Sequence, residues 1–419
     1  MKEDWQGCQL GDAINLKRGY DLPKKERSLG TFPIISSSGF SDTHSVAKVK
    51  GPGVVTGRYG TIGTVYFVQG DFWPLNTALY VQDFKGNDPH FISYFLRGLD
   101  FQAYSDKAAV PGINRNDLHQ AEILLPPLLE QRAIAATLGA LDNKIELNLR
   151  MNETLEAMAR ALFRDWFVDF GPTRRKIAGA TDPAAILGHL LHDPTQSAPL
   201  AALFPDSFGA GEFPEGWSLS TIGEVAKNHS ETMDLKKRQK VIFINTGDVS
   251  QGRFLHADYS DANGLPGQAK KKIEVGDILY SEIRPKNKRF AFVNFDAPDH
   301  IVSTKFMVLR TISTVSPIHL YFLVSSPEAV AEFNTTAESR SGTFPQITFD
   351  SIKHYPVMLA SEGIMKAFRE ILELIFGFQW ANEQANETLA QTRDLLLPRL
   401  MSGELRVTDL DQVEEETAA

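Results

Sequence analysis

The sequence predicts an α+β chain in which two mixed α/β modules are separated by two long antiparallel coiled-coil helices and related by a pseudo-twofold internal repeat. Three observations lead to this fold class. The tetrapeptide Asn-Glu-Thr-Leu begins at Asn152 and again at Asn386, 234 positions later. Each copy lies in a long segment whose apolar residues follow a heptad spacing. Each segment is preceded by short β-branched runs that Gly and Pro interrupt.

The repeat extends well beyond the tetrapeptide. The same shift of 234 positions places Ile113 on Ile347 and Leu138 on Leu372, and the match continues without a gap for about fifty residues. The regions before the helices are also alike, but at other offsets, because WQGCQLGDAINL near the start resembles WSLSTIGEVAKN from Trp217. The helices therefore kept their register while the modules diverged through insertions.

Each long segment predicts a helix of about forty residues, or ~60 Å at 1.5 Å per residue. A helix of that length needs a partner along its length, and we expect the two equivalent helices to pair with each other. The alternative is that each helix packs only on its own module. Asparagines at equivalent seam positions predict a polar layer that fixes the alignment. The residues predicted to pair are Leu138, Leu141, Asn148, Asn152, Leu155, Leu162, Leu372, Ile375, Asn382, Asn386, Leu389 and Leu396.

The modules are rich in strand-like runs. In the first module these are FPIIS, GVVTGRYG, GTVYFV and TALYVQDF, followed by the amphipathic pattern DPHFISYFLRGLDFQAYSD. In the second they are KVIFINTG, GDILYSE, RFAFVNF and KFMVLRT, followed by helical patterns at IHLYFLVSS and PEAVAEFNTTAES. We therefore expect twisted mixed sheets with a few helices in each module. A Pro-rich linker, with one short helix at TDPAAILGHLLHD, connects the two halves.

Composition narrows the class of protein. A hydrophobic content of 42% with 23% charged residues is typical of a globular chain. No apolar run approaches the ~18 residues of a membrane helix, and the first residues lack the apolar stretch of a secretory signal. The single cysteine, Cys8, favours a reducing, cytoplasmic setting. The net charge of −9 is partly due to an acidic C-terminal stretch from Glu404, which we expect to be a solvated tail.

Basic residues nevertheless cluster in the loops of both modules. Such clusters neutralise phosphates and hold a module in register on a duplex, although a single lysine cluster is also typical of an ordinary solvated loop. Loops at matching positions before each long helix add Asn, Gln and Arg, which read base edges but are also common turn residues. The candidate DNA-binding residues are Lys24, Lys25, Arg27, Arg58, Tyr59, Lys107, Asn114, Arg115, Lys236, Lys237, Arg238, Lys240, Arg284, Lys286, Lys288, Arg289, Arg340 and Gln346.

Several fragments resemble catalytic or cofactor-binding motifs, but each lacks the surrounding sequence elements that the motif requires. The DFG at Asp169 lacks the other kinase elements, and GAGEFPEG neither follows a strand nor opens a helix as a dinucleotide fingerprint does. GRYGTIG lacks the Lys-Ser/Thr of a phosphate loop and is typical of strand–turn–strand. His189 and His192 have no obvious further ligands for zinc. We therefore expect no catalytic site, no metal site and no cofactor in this chain, which favours a recognition or scaffold component.

The layout resembles the specificity subunit of type I restriction-modification enzymes. The similarity rests on LLPPLLEQRAIAATLGALDNKIELNLRMNETLEAMARALFRDWF, FPEGWSLSTIGEV and LLLPRLMSGEL. The second helix departs from the pattern, because MLASEGIMKAFRE replaces the Pro-Leu-x-Glu-Gln-Arg start. The resemblance implies target-recognition domains at 1–126 and 213–357, conserved coiled-coil helices at 127–170 and 358–403, a linker at 171–212 and an acidic tail at 404–419.

The resemblance further implies that each target-recognition domain reads one half of a split DNA sequence and that the helices set the spacer. The chain itself would be non-catalytic. Its partners would be double-stranded DNA, two modification subunits that hold S-adenosylmethionine, and restriction subunits that use ATP and Mg to translocate and cleave DNA. Inserting one or two helical turns between Asn152 and Leu162 is then expected to lengthen the spacer. A coiled-coil scaffold that binds only proteins, and a self-sufficient nuclease or methyltransferase, are the alternatives.

Apolar residues off the heptad seam are candidates for docking the partner helices. Packing against the modules of the same chain is the alternative for the same side chains. The residues concerned are Leu147, Leu149, Met151, Phe163 and Phe167.

Overall fold

The computed structural model describes residues 4–105, 112–189, 193–312, 315–340 and 342–407. The chain divides into two compact units. The first unit comprises Met1–Arg150 together with Asn382–Ala419, and the second comprises Met151–Ala381. Each unit therefore contains one module and one part of each long helix.

The first module alternates strands and short helices. Its strands are β1 (Gln6–Gln9), β2 (Asn15–Arg18), β3 (Phe32–Ser36), β4 (Gly39–His44), β5 (Gly53–Gly57), β6 (Val65–Val68), β7 (Trp73–Pro74), β8 (Ala78–Asp83) and β9 (Glu122–Leu125). Its helices are α1 (Leu10–Ala13), α2 (Pro89–Arg97) and α3 (Arg115–His119), followed by the first long helix α4 (Leu128–Phe163). Two 3₁₀ turns, Lys24–Glu26 and Phe101–Tyr104, lie in its loops.

The described residues of the first module form three sheets. A four-stranded antiparallel sheet has the order β2-β8-β5-β6, and a mixed sheet has the order β4-β3-β7 with β3 and β7 parallel. The third sheet pairs β1 with β9 and joins the two ends of the module. Helix α2 begins where Asp88 accepts a hydrogen bond from the amide of Phe91, a favourable N-cap. Its apolar face, including Phe91 and Leu96, is buried in the module core.

The second unit begins with the end of α4 and the linker. A π-helical turn, Arg164–Val168, follows α4, and the linker contains α5 (Gly171–Ile177), α6 (Pro183–Ile186) and α7 (Pro194–Leu203). The linker expected to hold one short helix thus forms three within its described residues. The linker is packed rather than extended, because Leu200 and Phe204 are buried in the core of the second unit.

The second module has more strands than the first. Its strands are β10 (Ser218–Thr221), β11 (Ala226–His229), β12 (Lys240–Ile244), β13 (Val249–Ser250), β14 (Arg253–Phe254), β15 (Tyr259–Asp261), β16 (Ala269–Lys272), β17 (Ile278–Ser281), β18 (Phe290–Phe292), β19 (His300–Ser303), β20 (Phe306–Thr311) and β21 (Pro356–Leu359). Its helices are α8 (Ile222–Val225), α9 (Pro317–Val324), α10 (Pro327–Arg340) and α11 (Phe349–Ile352), followed by the second long helix α12 (Glu362–Met401). The 3₁₀ turns are Leu235–Lys237, Thr246–Asp248, Ala262–Gly264 and Pro285–Asn287.

The two modules share one topology. The order β11-β20-β17-β18 repeats β2-β8-β5-β6, and β15-β12-β19 repeats β4-β3-β7 with the same parallel and antiparallel pairs. The pair β10-β21 repeats β1-β9. The second module adds the β13-β14 hairpin and the edge strand β16. The predicted α+β fold class with its internal repeat is therefore confirmed.

The long helices run antiparallel within each unit. In the first unit Asp142 contacts Arg393 and Asn148 contacts Asn386, so residue numbers fall along α12 as they rise along α4. In the second unit Asn152 contacts Gln379, and Phe163 packs near Phe368. The predicted pairing of the two helices is thus observed in both units.

The core of the second unit is strongly aromatic. Trp166, Phe322 and Phe368 are almost completely buried within it. His319 is fully buried between aromatic rings, and this burial lowers its pKa to about 4, so it is a neutral core residue. Phe163 and Phe167, candidates for partner docking in the sequence, are each only 4% exposed and belong to this core. For these two residues the packing alternative is correct, because the Phe163 ring lies 6.0 Å from Phe322 and the Phe167 ring lies 4.5 Å from His319.

Candidate nucleic-acid interface and helix seam

Two loops meet at the surface of the first module. The chain leaving β5 at Arg58 donates its amide to the carbonyl of Thr77 at 3.0 Å, and the carbonyl of Arg58 accepts the amide of Ile113 at 3.0 Å. Tyr59 then bridges Gly112. Gly57 is required here, because a Cβ there would lie 1.7 Å from the carbonyl oxygen of Thr61, whereas a Cβ on Gly112 would lie 2.5 Å from the Tyr59 ring. The backbone of the predicted Arg58–Tyr59 element is therefore fixed.

The other basic side chains of the first module differ in their surroundings. Arg18 donates to the carbonyl of Asn76 at 3.3 Å. Lys24 lines a shallow depression of about 260 Å³ together with Asn76. Lys24 and Lys25 are exposed. Arg27 is held by Asp42 at 3.2 Å and is only 11% exposed, so most of its charge is already engaged inside the module.

The second module repeats this backbone geometry with other side chains. Glu282 donates its amide to the carbonyl of Lys305 and accepts the amide of Ile347, both at 2.9 Å. Ile283 bridges Gln346 as Tyr59 bridges Gly112. Arg58 and Glu282 are therefore structurally equivalent, and Gln346 lies where the repeat places it.

The loop that follows presents further predicted residues. Arg284 and Lys288 are exposed and adopt left-handed backbone conformations, with φ of 45° and 52°. Lys286 pairs with Glu338 at 3.3 Å. Arg289 donates to the carbonyls of Gly247 and Val249 at 2.9 and 2.8 Å. This arginine thus holds the loop, whereas Arg284 and Lys288 face solvent.

The remaining candidates have varied surroundings. Lys236 and Lys240 are exposed, while Lys237 lies 3.5 Å from Asp234 and Arg238 lies 2.5 Å from Asp299. In the first module Asn114 caps α3 through the amide of Asn116, and Arg115 is exposed. Arg340 donates to the hydroxyl of Thr348 at 3.3 Å. Lys107 lies outside the described residues. Their role in DNA binding stays a prediction.

The seam of the first unit contains an ionic network. The carboxylate of Asp142 accepts hydrogen bonds from Arg393 at 2.8 Å, Tyr94 at 2.7 Å and Arg97 at 3.2 Å. These partners offset the partial burial of Asp142, and its pKa is lowered. The network joins both long helices to α2. Arg393 lies three residues before the seam residue Leu396, so the heptad spacing is consistent with its place on the seam but does not identify its partner.

The start of α4 carries a second set of contacts that the sequence did not assign. Glu130 accepts a hydrogen bond from the indole of Trp5 at 2.9 Å and lies 3.7 Å from Arg406. Gln131 is buried and bonds Asn87, the carbonyl of Pro126 and the amide of Asp88. The Glu-Gln pair that carried the family resemblance thus fastens the module to the helix.

The predicted polar layer is present in both units. Asn148 is 1% exposed, and its amide donates to the side-chain oxygen of Asn386 at 2.9 Å. Asn152 donates to the carbonyl of Gln379 at 3.1 Å, and the Gln379 side chain returns a bond to the carbonyl of Asn152 at 3.0 Å. The other predicted seam residues are buried or half-buried on the paired faces: Leu138, Leu141, Leu155, Leu162, Leu372, Ile375, Asn382, Leu389 and Leu396.

We expect replacement of Asn148 and Asn386 by Leu to raise stability and loosen register. An apolar layer removes the cost of burying two amides, so unfolding should become harder by ~1–3 kcal/mol. Register is measured by the distance between spin labels at residues 147 and 387 in a Cys8→Ser background. The distribution of label–label distances should be narrow in the wild-type register and broad in the Leu variant. The surface pair Lys144→Leu with Gln391→Leu is the control, and an unchanged width would show that the asparagines do not set the register.

Apolar side chains off the seam remain exposed on both helices. Leu147, Leu149 and Met151 are 53%, 45% and 43% exposed, as expected of candidates for docking. The second helix adds Leu374 and Phe378, four residues apart and 67% and 63% exposed. These two were missed, because the equivalent positions of α4 are Ala140 and Lys144. Large exposed side chains on one helix face are typical of an interaction surface.

The acidic, histidine and cysteine side chains of the described residues do not cluster as metal ligands. No three or more of them form a group that could hold a metal ion. His192, one of the two histidines considered for zinc, lies outside the described part of the chain. No helix within the described ranges is long and apolar enough to cross a membrane.

Known proteins resemble both modules. The family model described as the type I restriction modification DNA specificity domain matches residues 2–157 and 214–381. The type I restriction enzyme HindI specificity subunit of Haemophilus influenzae is 42% identical over 181 residues, which cover 43% of this chain and 39% of that protein. The MjaIX specificity subunit of Methanocaldococcus jannaschii is 22% identical over 316 residues, covering 73% of this chain and 66% of that protein. The chain thus spans less than two thirds of either relative.

A solved structure shows the same fold. The S subunit of a type I restriction-modification system from M. genitalium superposes with a TM-score of 0.56 at 16% identity, covering 95% of this chain and 96% of that one. At such low identity the likeness shows the fold alone. The family model, by contrast, matches both modules and most of the chain. The protein therefore belongs to the type I restriction-modification DNA specificity family.

Proposed function

We propose that this chain is the sequence-recognition subunit of a type I restriction-modification complex and that each module reads one half of a bipartite double-stranded DNA target. The observation that carries the proposal is the duplication of one surface. The loop pair fixed around Arg58 in the first module recurs around Glu282 in the second, with the same hydrogen bonds. A surface duplicated within one chain suits two half-sites, as the two subunits of a symmetric dimer do.

The charge distribution supports recognition by the modules rather than by the whole surface. The net charge of −9 opposes general attraction to DNA. Exposed cations lie in the loops of both modules, at Lys24, Lys25, Lys236, Arg284 and Lys288. Each cation that neutralises a phosphate releases counterions and strengthens binding at low salt. These loops are thus the part of the chain suited to a polyanion.

The long helices have two proposed roles. They set the spacer between the half-sites, because α4 and α12 each continue without a break from one unit into the other. Their exposed apolar side chains, including Leu147 and Phe378, dock two modification subunits. Family membership supports the proposal that this chain is a non-catalytic component. We place S-adenosylmethionine on the modification subunits, ATP and Mg on restriction subunits, and the complex in the cytoplasm.

Binding of the full chain, assembled with its modification subunits, to a library of random duplexes tests the proposal. We expect enrichment of two short fixed sequences separated by a fixed spacer. Lys236→Glu with Lys240→Glu should weaken binding to all sequences and reduce the slope of log K against log salt by about 0.9 for each phosphate that is no longer neutralised. Lys144→Glu, an exposed change on α4, is the control. Indifference of the wild-type complex to sequence would contradict the proposal and favour the protein-binding scaffold.

A further inference from the structure

Positions that share a backbone but differ in side chain are where two copies of one module can read different sequences. The residue after β5 and its counterpart after β17 are such positions. At both positions the backbone amide donates to one loop and the backbone carbonyl accepts from another, over 2.9–3.0 Å. The first position is arginine and the second is glutamate. A fixed backbone with a changed side chain alters recognition without altering the fold.

The arginine at this position is held ready for a ligand. The guanidinium of Arg58 lies 4.5 Å from the centroid of the Tyr59 ring, which favours stacking and limits its rotamers. The Tyr59 ring is 43% exposed and packs against Gly112, where a Cβ would approach within 2.5 Å of the ring. Among the described residues no carboxylate pairs with Arg58, in contrast to Arg27, which Asp42 holds.

The counterpart in the second module is differently engaged. Glu282 exerts its charge on Lys271, which is 6% exposed and donates to the carbonyl of Phe306 at 2.6 Å. Burial lowers the pKa of Lys271, and the Glu282 carboxylate opposes that shift only in part. Both side chains are half-buried, but the Glu282 carboxylate is attracted to a cation of its own module, whereas no described carboxylate pairs with Arg58.

We propose that Arg58 is a base-reading side chain of the first module and selects a guanine through its major-groove edge. The planar guanidinium pairs with the O6 and N7 acceptors of guanine in two parallel hydrogen bonds, which no other base pair offers in the same arrangement. Tyr59 and Gly112 are positioning residues that hold the guanidinium plane. The proposal rests on the proposed function, because it requires that the module bind duplex DNA.

The alternative ligand for the same guanidinium is a backbone phosphate, which also accepts two hydrogen bonds but carries no sequence information. The two ligands have different signatures. Removing a base contact changes preference at one base pair, whereas removing a phosphate contact weakens all sequences alike. A substitution that keeps the charge and removes the planar fork distinguishes them.

The test is selection of duplexes with one half-site randomised, using the full chain assembled with its modification subunits. Wild type should prefer guanine at one position. Arg58→Lys should reduce that preference by about 5- to 150-fold and leave the other positions and the second half-site unchanged. Gly112→Ala, which displaces the Tyr59 ring, should weaken discrimination at that same position. Lys24→Ala, which removes an exposed cation of the same module, should weaken all sequences equally.

The outcomes separate this inference from the function on which it rests. If wild type is selective and Arg58→Lys either keeps its guanine preference or weakens all sequences alike, Arg58 is not a base reader. If Gly112→Ala changes a different position, the positioning role is wrong. If wild type itself shows no selectivity, the proposed function fails instead. Thermal melting of each variant confirms that the module remains folded.

Discussion

Replacing the second module with that of another specificity subunit is expected to change one half of the recognised sequence and leave the other half unchanged. The structure makes this exchange feasible, because the chain enters and leaves the module through one pair of antiparallel strands. Ser218 pairs with Leu359 and Thr221 with Pro356. A cut on either side of this pair removes a module with both ends adjacent, so the helices need not move.

The structure also defines the joints. The sequence placed the end of the second module at residue 357, but β21 continues to Leu359, so the graft should extend through that residue. The graft should also begin before Trp217, and the donor must carry an aromatic residue at that position, because the Trp217 ring lies 5.7 Å from Phe167 and from Phe170. Without it the core at the end of α4 loses a large side chain, at a cost of ~3–5 kcal/mol.

The recognised sequence is measured by mapping methylated adenines in a host that carries the chimera and its modification subunits. We expect the half-site read by the exchanged module to become that of the donor. The half-site read by the first module and the spacer should stay as in the wild type. Exchange of the first module between β1 and β9, which pair in the same way, is the matched control and should alter the other half. A chimera that changes both halves, or neither, would show that the modules do not read independently.

Much of this architecture was predictable because the repeat is encoded at single residues. The shift of 234 positions places Ile113 on Ile347, and both amides donate to equivalent carbonyls. Strand patterns such as FPIIS correspond to observed strands, here Phe32–Ser36, because alternation and β-branching are local properties. The heptad spacing likewise identified which face of each long helix is covered.

The periodicity could not predict whether polar or apolar contacts join each module to the long helices. In the first unit Tyr94 donates to Asp142 on α4. The repeat replaces these two residues with Phe322 and Phe376, whose rings lie 6.3 Å apart in the second unit. Likewise Glu130 is replaced by the buried Ile364. One seam pattern thus accommodates an ionic junction in one unit and an apolar junction in the other, since a heptad specifies position and not partner.

The DNA-facing residues were the least predictable for a related reason. A run of lysines and arginines looks the same whether its members face solvent or neutralise neighbours. Arg238 lies in the same basic cluster as Lys236, and Arg289 in the same cluster as Lys288. Arg238 nevertheless pairs with Asp299, and Arg289 donates hydrogen bonds to two backbone carbonyls. Long-range partners of this kind come from the fold, so local composition alone could not separate the two groups.

Lengthening both long helices by one heptad is expected to lengthen the spacer by about 3 base pairs without changing either half-site. Seven residues add ~10.5 Å of helix, against ~3.4 Å per base pair along the duplex. Seven is chosen because it preserves the seam, whereas one turn of four residues would introduce a stutter. Both helices must be extended, since an insertion in one alone would displace every seam contact beyond it.

The structure moves the insertion point proposed from the sequence. Between Asn152 and Leu162 an insertion would separate contacts of the second unit, such as the pair of Glu153 with Arg253 at 3.1 Å. The junctions after Arg150 and after Ala381 lie at the boundary between the two units. Insertions there leave the contacts within each unit intact, including the Asn148 bond to Asn386.

Methylation mapping again gives the measurement, now of the distance between the two half-sites. A chain with the insertion in α4 alone is the control, and it should lose stable assembly rather than acquire a new spacer. If the doubly extended chain assembles normally and methylates the original spacing, helix length does not determine the spacer. A longer spacer with both half-sites preserved would identify the paired helices as the element that measures the DNA, because no residue of either recognition surface has changed.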